Sequence, residues 1–320
     1  AMRERFPDAE FTVAAGCDVE GTNTEGFADA VAAARDADVA VVVVGDRAGL
    51  FGRGTVGEGN DVDSLDLPGV QRELVEALVA TGTPVVMVLL TGRPYALDWA
   101  LDGDDAPAAV LQSFFPGEEG GRAIAAILSG DVNPGGRLPV SLPRSAGSQP
   151  YSYLHPFLGG PNEITSLDST PTRPFGYGLS YTTFAHTDLT VDAECATRGR
   201  FVASVTVSNT GDRRGADVVQ LYAHQPYRSV TRPLAQLVGY ARVELNPGET
   251  VRVEMSVPTT RLAFTDATMT RVVEPGSVEL WVGGSCADKE TRATLALTGG
   301  TSSPTPDDAR TVDVIVTPAS

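Results

Sequence analysis

The first 145 residues alternate between short apolar runs and segments in which apolar residues recur with helical spacing. Runs of β-forming residues predict strands at residues 11–15, 39–44, 84–90 and 108–114. Apolar residues at intervals of three or four predict helices at residues 24–36, 69–82 and 117–128. This alternation indicates an α/β sandwich, a mostly parallel sheet with helices on both faces. The unbroken run at 39–44 is typical of a strand that is covered on both sides.

From about residue 180 the helical period disappears and apolar residues alternate with polar ones. Alternation of this kind places one side of a strand in a core and the other in solvent. It predicts strands at residues 201–207, 218–222, 237–245, 251–255, 277–282 and 293–297, with 312–316 as a further candidate. Turn-forming residues separate these segments. About seven short strands with turns between them predict an immunoglobulin-like β-sandwich.

A proline-rich segment joins the two regions. Prolines recur there among Ser, Gly, Tyr and Asn, at positions 143, 150, 156, 161 and 171. Such a composition is typical of an extended connector. We therefore expect an α/β domain at residues 1–145, incomplete at its N-terminus, and a connector at 146–172. An all-β domain at 173–300 and a C-terminal tail at 301–320 complete the predicted organisation.

The net charge of −17 restricts the partners that this chain can have. Repulsion argues against nucleic acid and against anionic membrane surfaces. The sequence contains no apolar run of about 18 residues and no signal-peptide core at its start, so neither a membrane-spanning helix nor a secretion signal is expected. Cytoplasmic and secreted locations both stay open. The three cysteines are spaced too widely for a zinc site or a disulfide framework.

A glycine-rich stretch at residues 52–63 follows the strand predicted at 39–44. Open α/β sheets place functional groups in such loops. Glu58 stands between Gly57 and Gly59, so neighbouring side chains shield its carboxylate little, and it is free to enter a partner's pocket. A solvated acidic loop explains the same residues equally well. A phosphate-binding loop does not, because the stretch lacks the Gly-x-x-x-x-Gly-Lys pattern.

Six motifs, in this order, resemble glycoside hydrolase family 3, which contains β-glucosidases and β-xylosidases. They are residues 57–61 (Gly-Glu-Gly-Asn-Asp), 65–71 (Leu-Asp-Leu-Pro-Gly-Val-Gln), 91–94 (Thr-Gly-Arg-Pro), 115–121 (Phe-Pro-Gly-Glu-Glu-Gly-Gly), 130–139 (Gly-Asp-Val-Asn-Pro-Gly-Gly-Arg-Leu-Pro) and 175–184 (Phe-Gly-Tyr-Gly-Leu-Ser-Tyr-Thr-Thr-Phe). The resemblance implies a (β/α)8 barrel, an α/β sandwich and a fibronectin type III-like domain. This sequence holds the last two, so the nucleophilic aspartate of the barrel is expected elsewhere.

The resemblance also assigns candidate roles on the glycine-rich loop. Retaining glycosidases use one carboxyl group as nucleophile and a second, about 5 Å away, as acid and base. In this family the acid/base is a glutamate that matches Glu58. Asp61 is its rival, and we interpret it as a residue that holds the loop or binds substrate. Relatives often carry an arginine directly after this aspartate, which this chain lacks. Phe51 and Arg53 are candidate substrate contacts, with loop packing as the alternative.

The implied activity is that of an exo-acting retaining β-glycosidase, with β-glucosidase as the first choice. Its substrates would be β-linked oligosaccharides or glycosides, cleaved at the non-reducing end without a metal or organic cofactor. The second expected partner is the N-terminal barrel, as a domain or a separate chain, and a homo-oligomer is left open. A β-xylosidase or α-L-arabinofuranosidase of the same family remains an alternative. A non-catalytic carbohydrate-binding or interaction module is the alternative from another class.

Overall fold

A computed structural model describes residues 1–148, 152–160, 163–164 and 166–319. The chain divides into two compact units. The first comprises Ala1–Val132, Leu142–Tyr151 and Ser166–Arg173, and the second comprises Asn133–Ser141, Ser152–Thr165 and Pro174–Ser320. The proline-rich segment thus contributes to both units, although Pro150, Tyr151 and Pro161 lie outside the described residues. No helix among the described residues is long and apolar enough to cross a membrane.

The first unit is built from helices around a three-stranded sheet. Its helices are α1 (Met2–Arg5), α2 (Phe27–Arg35), α3 (Gln71–Val79), α4 (Asp98–Leu101) and α5 (Gly120–Leu128). Its strands are β1 (Ala40–Gly45), β2 (Val85–Leu90) and β3 (Ala109–Gln112). The order is β1-β2-β3 and both pairings are parallel, which confirms the predicted α/β architecture. The strand predicted at 11–15 is wrong, since none of these described residues lies in a strand, and the adjacent Gly16 forms only an isolated bridge with Gly26.

Coverage of β1 differs from the prediction. Val42 and Val44 are buried, but Val41 and Val43 are 41% and 59% exposed. Side chains alternate between the faces of a strand, so one face of β1 is packed and the other is open to solvent in this chain. The apolar run therefore predicted the strand correctly. The prediction that both of its faces are covered is wrong for this chain.

Helix α3 fixes the end of β1 through a buried amide. Its buried positions Gln71, Leu74, Val75 and Leu78 follow the helical period. The oxygen of the Gln71 side chain accepts a hydrogen bond of 2.6 Å from Gly45 N–H, and its nitrogen donates one of 2.9 Å to Gly45 O. Both backbone groups of Gly45 are thus paired although β1 is an edge strand.

The second unit is a β-sandwich, as predicted. Its strands are β4 (Phe184–Val191), β5 (Glu194–Ala196), β6 (Arg200–Asn209), β7 (Gly215–His224), β8 (Gln236–Leu245), β9 (Thr250–Pro258), β10 (Phe264–Thr265), β11 (Arg271–Val272), β12 (Gly276–Gly283), β13 (Thr291–Thr298) and β14 (Asp313–Pro318). One sheet has the order β5-β13-β12-β7-β8 and the other β14-β9-β6-β4. The further strand suggested at 312–316 is present as β14, which pairs with β9. The alternation did not predict β4, β5 or the two-residue strands β10 and β11.

Apolar side chains from both sheets form the core of this unit. Phe201 and Val205 of β6, Val253 of β9 and Leu280 of β12 are all at most 2% exposed. Burying apolar surface of this kind contributes roughly 25 cal/mol for each Å² removed from water. The apolar residues at every second position of the sequence are therefore the ones that form this core.

A buried group of charged side chains lies within the sandwich unit. The imidazole of His186, in β4, lies 2.7 Å from Asp217 and 2.9 Å from Glu290. Arg137 donates a hydrogen bond of 2.6 Å to the second carboxylate oxygen of Asp217. Burial by itself would lower the pKa of His186, but hydrogen bonds to Asp217 and Glu290 and their charges outweigh it and raise that pKa to about 9. His186 is therefore an imidazolium at neutral pH.

This pairing predicts a loss of stability at alkaline pH. The pKa of His186 rises from about 6.5 in the unfolded chain to about 9 in the folded one, so folding takes up a proton between these values. The free energy of unfolding should be fully supported below about pH 6.5 and fall by up to about 3 kcal/mol as the pH rises to about 9. Urea unfolding measured across this range, by a probe of the sandwich unit, tests the expectation.

The matched variants are His186→Gln and His155→Gln. The first removes the titrating group, so most of the pH dependence should disappear together with some stability at pH 6. The second changes a half-buried histidine outside this charged group and should retain the wild-type slope. An unchanged slope in the His186 variant would contradict the assignment.

Candidate active site

The loop at residues 46–60 begins where β1 ends. The backbone N–H of Asp46 donates to Leu90 O at 2.8 Å and so continues the pairing of β1 with β2. The carboxylate of Asp46 accepts hydrogen bonds from the hydroxyls of Thr55, at 2.7 Å, and Tyr95, and from Gly92 N–H at 2.9 Å. These bonds join the loop to the segment that follows β2.

Tyr95 is a permanent donor to this carboxylate. Its ring is buried, with 1% of its surface exposed. Burial, together with the hydrogen bond to Asp46 and the charge of that residue, raises the pKa of Tyr95. The phenol therefore keeps its proton throughout the physiological pH range.

The two sides of the loop approach each other closely. Gly49 N–H donates to Val56 O at 3.0 Å, and Thr55 N–H donates to Arg47 O at 2.9 Å. A Cβ atom at Gly57 would lie only 1.9 Å from Gly49 O, so this position tolerates no side chain without movement of the backbone. The glycines thus permit close packing within a folded loop, and they do not make it a random coil.

Glu58 occupies the tip of a tight turn. Asn60 N–H donates to Gly57 O at 3.1 Å, and Gly59 has a φ of +72°. Glu58 and Gly59 are therefore the central residues of a β-turn of the kind that requires a positive φ at its third position. Glu58 is exposed, and its carbonyl accepts a hydrogen bond of 2.8 Å from Phe51 N–H. The turn presents the carboxylate outward from a fixed backbone.

The side chain of Asn60 is buried under this turn, with 7% of the residue exposed. Its nitrogen donates to Gly49 O at 2.9 Å and to Glu58 O at 3.3 Å, and its oxygen accepts from Gly54 N–H at 3.2 Å. Arg93 donates from one nitrogen to Thr55 O, at 2.9 Å, and to Asn60 O, at 2.8 Å. Asn60 and Arg93 therefore brace the loop from below.

The other predicted site residues lie around Glu58 at the surface. Phe51 is 72% exposed, has a φ of +53°, and has its ring beside Gly59. Arg53 and Asp61 are exposed. Within the described part of the chain, Asp61 shows no side-chain hydrogen bond or ion pair. The bracing role considered for Asp61 is filled by Asn60 instead.

Sequence reasoning missed four residues that shape this loop. Asp46, Tyr95, Asn60 and Arg93 act through bonds to partners up to 49 positions away. The Thr-Gly-Arg-Pro motif pointed to the segment of Arg93, although not to its role. Local spacing carries no signal for these contacts. Those of Tyr95 and Arg93 depend on how β1 and β2 are placed side by side, and those of the Asn60 side chain depend on how the loop folds on itself.

The chain thus combines an α/β unit, which carries an exposed glutamate on a braced loop, with a β-sandwich. Two family models match this combination. The model of the glycosyl hydrolase family 3 C-terminal domain matches residues 1–181, and that of the fibronectin type III-like domain matches residues 217–286. The chain belongs to glycoside hydrolase family 3, as its motifs predicted.

Two curated relatives illustrate the similarity. The chain is 41% identical to a β-xylosidase from Formosa agariphila over 276 residues, which is 85% of this chain and 37% of the relative. It is 42% identical to a periplasmic β-glucosidase from Salmonella typhimurium over 266 residues, or 80% of this chain and 34% of the relative. The chain thus spans about a third of the length of these relatives.

Solved structures agree with this similarity. A mutant β-glucosidase from Listeria innocua in complex with laminaribiose matches 93% of this chain and 41% of its own, with 28% identity and a TM-score of 0.83. A β-glucosidase from Erythrobacter marinus matches 92% of this chain and 42% of its own, with 36% identity and a TM-score of 0.80. Both units of the chain therefore have counterparts of known structure.

The bond from Tyr95 to Asp46 predicts a measurable share of stability. Tyr95→Phe removes one donor to a charged acceptor and should lower the free energy of unfolding of the first unit by about 2 kcal/mol. Hydrogen exchange of the β1–β3 amides in urea measures this change. Tyr227→Phe, at a residue that is 84% exposed, is the matched control and should have no effect. Equal protection in both variants would show that the bond is not stabilising.

Proposed function

We propose that this chain is the part of an exo-acting retaining β-glycosidase that supplies the general acid/base, with Glu58 in that role. The nucleophile is supplied by a (β/α)8 barrel outside these residues. The observation that carries the proposal is the exposed carboxylate of Glu58 at the tip of a loop whose backbone is held at both sides. A surface turn without a function does not require such bracing.

The chemistry follows from two carboxyl groups on opposite sides of the anomeric carbon. The nucleophile attacks that carbon while Glu58 gives its proton to the leaving oxygen, so a covalent glycosyl-enzyme forms and the aglycone departs. Glu58, now ionised, takes a proton from water, which attacks the same carbon and releases the sugar. Closing a sugar-filled cleft around Glu58 excludes bulk water from the reacting groups.

The remaining loop residues are proposed to bind substrate. The exposed ring of Phe51 lies beside the turn of Glu58 and suits stacking on the apolar face of an aglycone. Arg53 and Asp61 present charged groups that suit hydroxyls. β-Glucosidase is the proposed specificity, and a β-xylosidase is the second choice, because similar relatives carry both names.

The first prediction concerns the isolated chain. Because the proposed nucleophile lies elsewhere, the purified 320-residue chain should hydrolyse no aryl β-glycoside. Release of nitrophenol from nitrophenyl glucoside and xyloside at high protein concentration measures this. Turnover that is lost in Glu58→Gln would show that both carboxyl groups reside in this chain. The proposed division between chain and barrel would then be wrong.

The second prediction concerns Glu58→Gln in the complete enzyme that joins this chain to its barrel. The substitution keeps the size of the side chain and removes its transferable proton. Hydrolysis of glycosides with leaving groups of high pKa should fall by about 10²–10⁴-fold. Dinitrophenolate departs without a proton, so formation of the glycosyl-enzyme from its glycoside should fall far less. Azide needs no general base, so it should restore turnover and yield a β-glycosyl azide.

Asp61→Asn is the matched control for this experiment, because it neutralises the rival carboxylate on the same loop. It should slow all leaving groups to a similar extent and should not respond to azide. If azide rescues the Asp61 variant and leaves the Glu58 variant inert, the roles of the two residues are reversed. If no glycoside is cleaved by the complete protein, a carbohydrate-binding module explains the chain better.

A further inference from the structure

We propose that Asn60 is a positioning residue for Glu58, which it holds in place from within the loop without touching substrate. This inference rests on the proposed function of Glu58. Proton transfer requires the acid to lie about 2.6–3.2 Å from the glycosidic oxygen. A displacement of about 1 Å costs up to about a hundredfold in rate. Any group that fixes the turn therefore contributes to the rate of proton transfer.

The side chain of Glu58 does not fix itself. It is exposed, and the described residues provide it with no side-chain hydrogen bond or ion pair. The position of its carboxylate is consequently set by the backbone of the turn. Gly57 and Gly59 flank it, and glycine backbone is less restricted than that of any other residue. The turn needs bonds to the rest of the loop to stay in one conformation.

Asn60 supplies bonds of this kind. Its amide nitrogen reaches the carbonyl of Glu58 and that of Gly49, which belongs to the opposite side of the loop. Its amide oxygen accepts from Gly54 N–H. One buried side chain thus joins the turn to two other points of the loop, and every polar atom of this side chain is paired.

Arg93 secures the other half of the arrangement. It donates to the backbone oxygen of Asn60 itself and to that of Thr55. Thr55 is in turn bonded to Asp46 at the end of β1. One path from Glu58 to the sheet therefore runs through Asn60 and Arg93, and each of its links is a direct hydrogen bond of at most 3.3 Å.

The test uses the complete enzyme and the substitutions Asn60→Ala and Asn60→Asp. The first removes all three side-chain bonds. The second keeps the acceptor for Gly54 but places an oxygen against the carbonyls of Gly49 and Glu58. The readout is the dependence of kcat/KM on leaving-group pKa across aryl glycosides of one sugar. Both variants should lose about 10–100-fold on leaving groups of high pKa, and less than about threefold on the dinitrophenyl glycoside, with KM nearly unchanged.

One control and one further variant separate the positioning role of Asn60 from an effect of charge. Val62→Asp adds the same negative charge as Asn60→Asp, at a residue that is 45% exposed and four positions after Glu58. It removes none of the bonds made by Asn60, so the dependence of kcat/KM on leaving-group pKa should not become steeper. Arg93→Lys keeps the charge but replaces the planar guanidinium, whose one terminal nitrogen donates to both carbonyls, by a flexible ammonium group. It should reproduce the Asn60→Ala pattern in a weaker form. It also serves as the second test if the Asn60 variants do not fold.

A double substitution gives the decisive outcome. If Asn60 acts through Glu58, then Asn60→Ala should have little further effect on high-pKa substrates in a Glu58→Gln background. Losses that multiply, or equal losses on all leaving groups in the single variant, would overturn the positioning role and leave the proposed function intact. If Glu58→Gln itself shows no dependence on leaving group, the proposed function fails and this inference fails with it.

Discussion

The candidate site depends on one carboxylate, that of Asp46, at the carboxyl end of β1. It accepts hydrogen bonds from Thr55 in the loop, from Tyr95 beyond β2, and from Gly92 N–H. Parallel strands end at a common edge of their sheet, so residues distant in sequence meet there. The hydrogen bonds to the Asp46 carboxylate hold the loop and the segment after β2 together at this edge. Without it, the hydroxyls of Thr55 and Tyr95 would have to find other acceptors in a half-buried setting.

Most helices and strands could be predicted from the sequence, because the spacing of their apolar residues reflects which face of each element is buried. Helix α3 and strands β6 and β9 fall within a few residues of their predicted places, since each buries one regular face. The segment at 11–15 has the composition of a strand, but it pairs with no strand in the described part of the chain. Strand β4 was missed because it carries the charged and polar residues His186, Thr187 and Asp188, with a bulge between Thr187 and Thr190.

The candidate site could be predicted only in part. Glu58 was found through motifs that resemble a known family, and the structure adds that it lies on a turn held from below. Asn60 lies in the same motif, two positions after Glu58, and the motif itself assigns it no role. Its importance arises from burial and from the carbonyls that surround it. Neither property can be inferred from composition, because the same residue in a solvated loop would bond to water.

The two units use hydrogen-bonded carboxylates in different ways. Asp46 is paired with two hydroxyls and an amide, none of which gains or loses a charge between about pH 5 and 9. Asp217 is paired with Arg137 and with His186, whose charge is lost as the pH rises through about 9. An alkaline loss of stability should therefore begin in the sandwich unit, while the bonds that hold the Glu58 loop persist. Loss of stability in the sandwich unit at high pH would then leave the Glu58 loop intact, because different groups hold the two regions together.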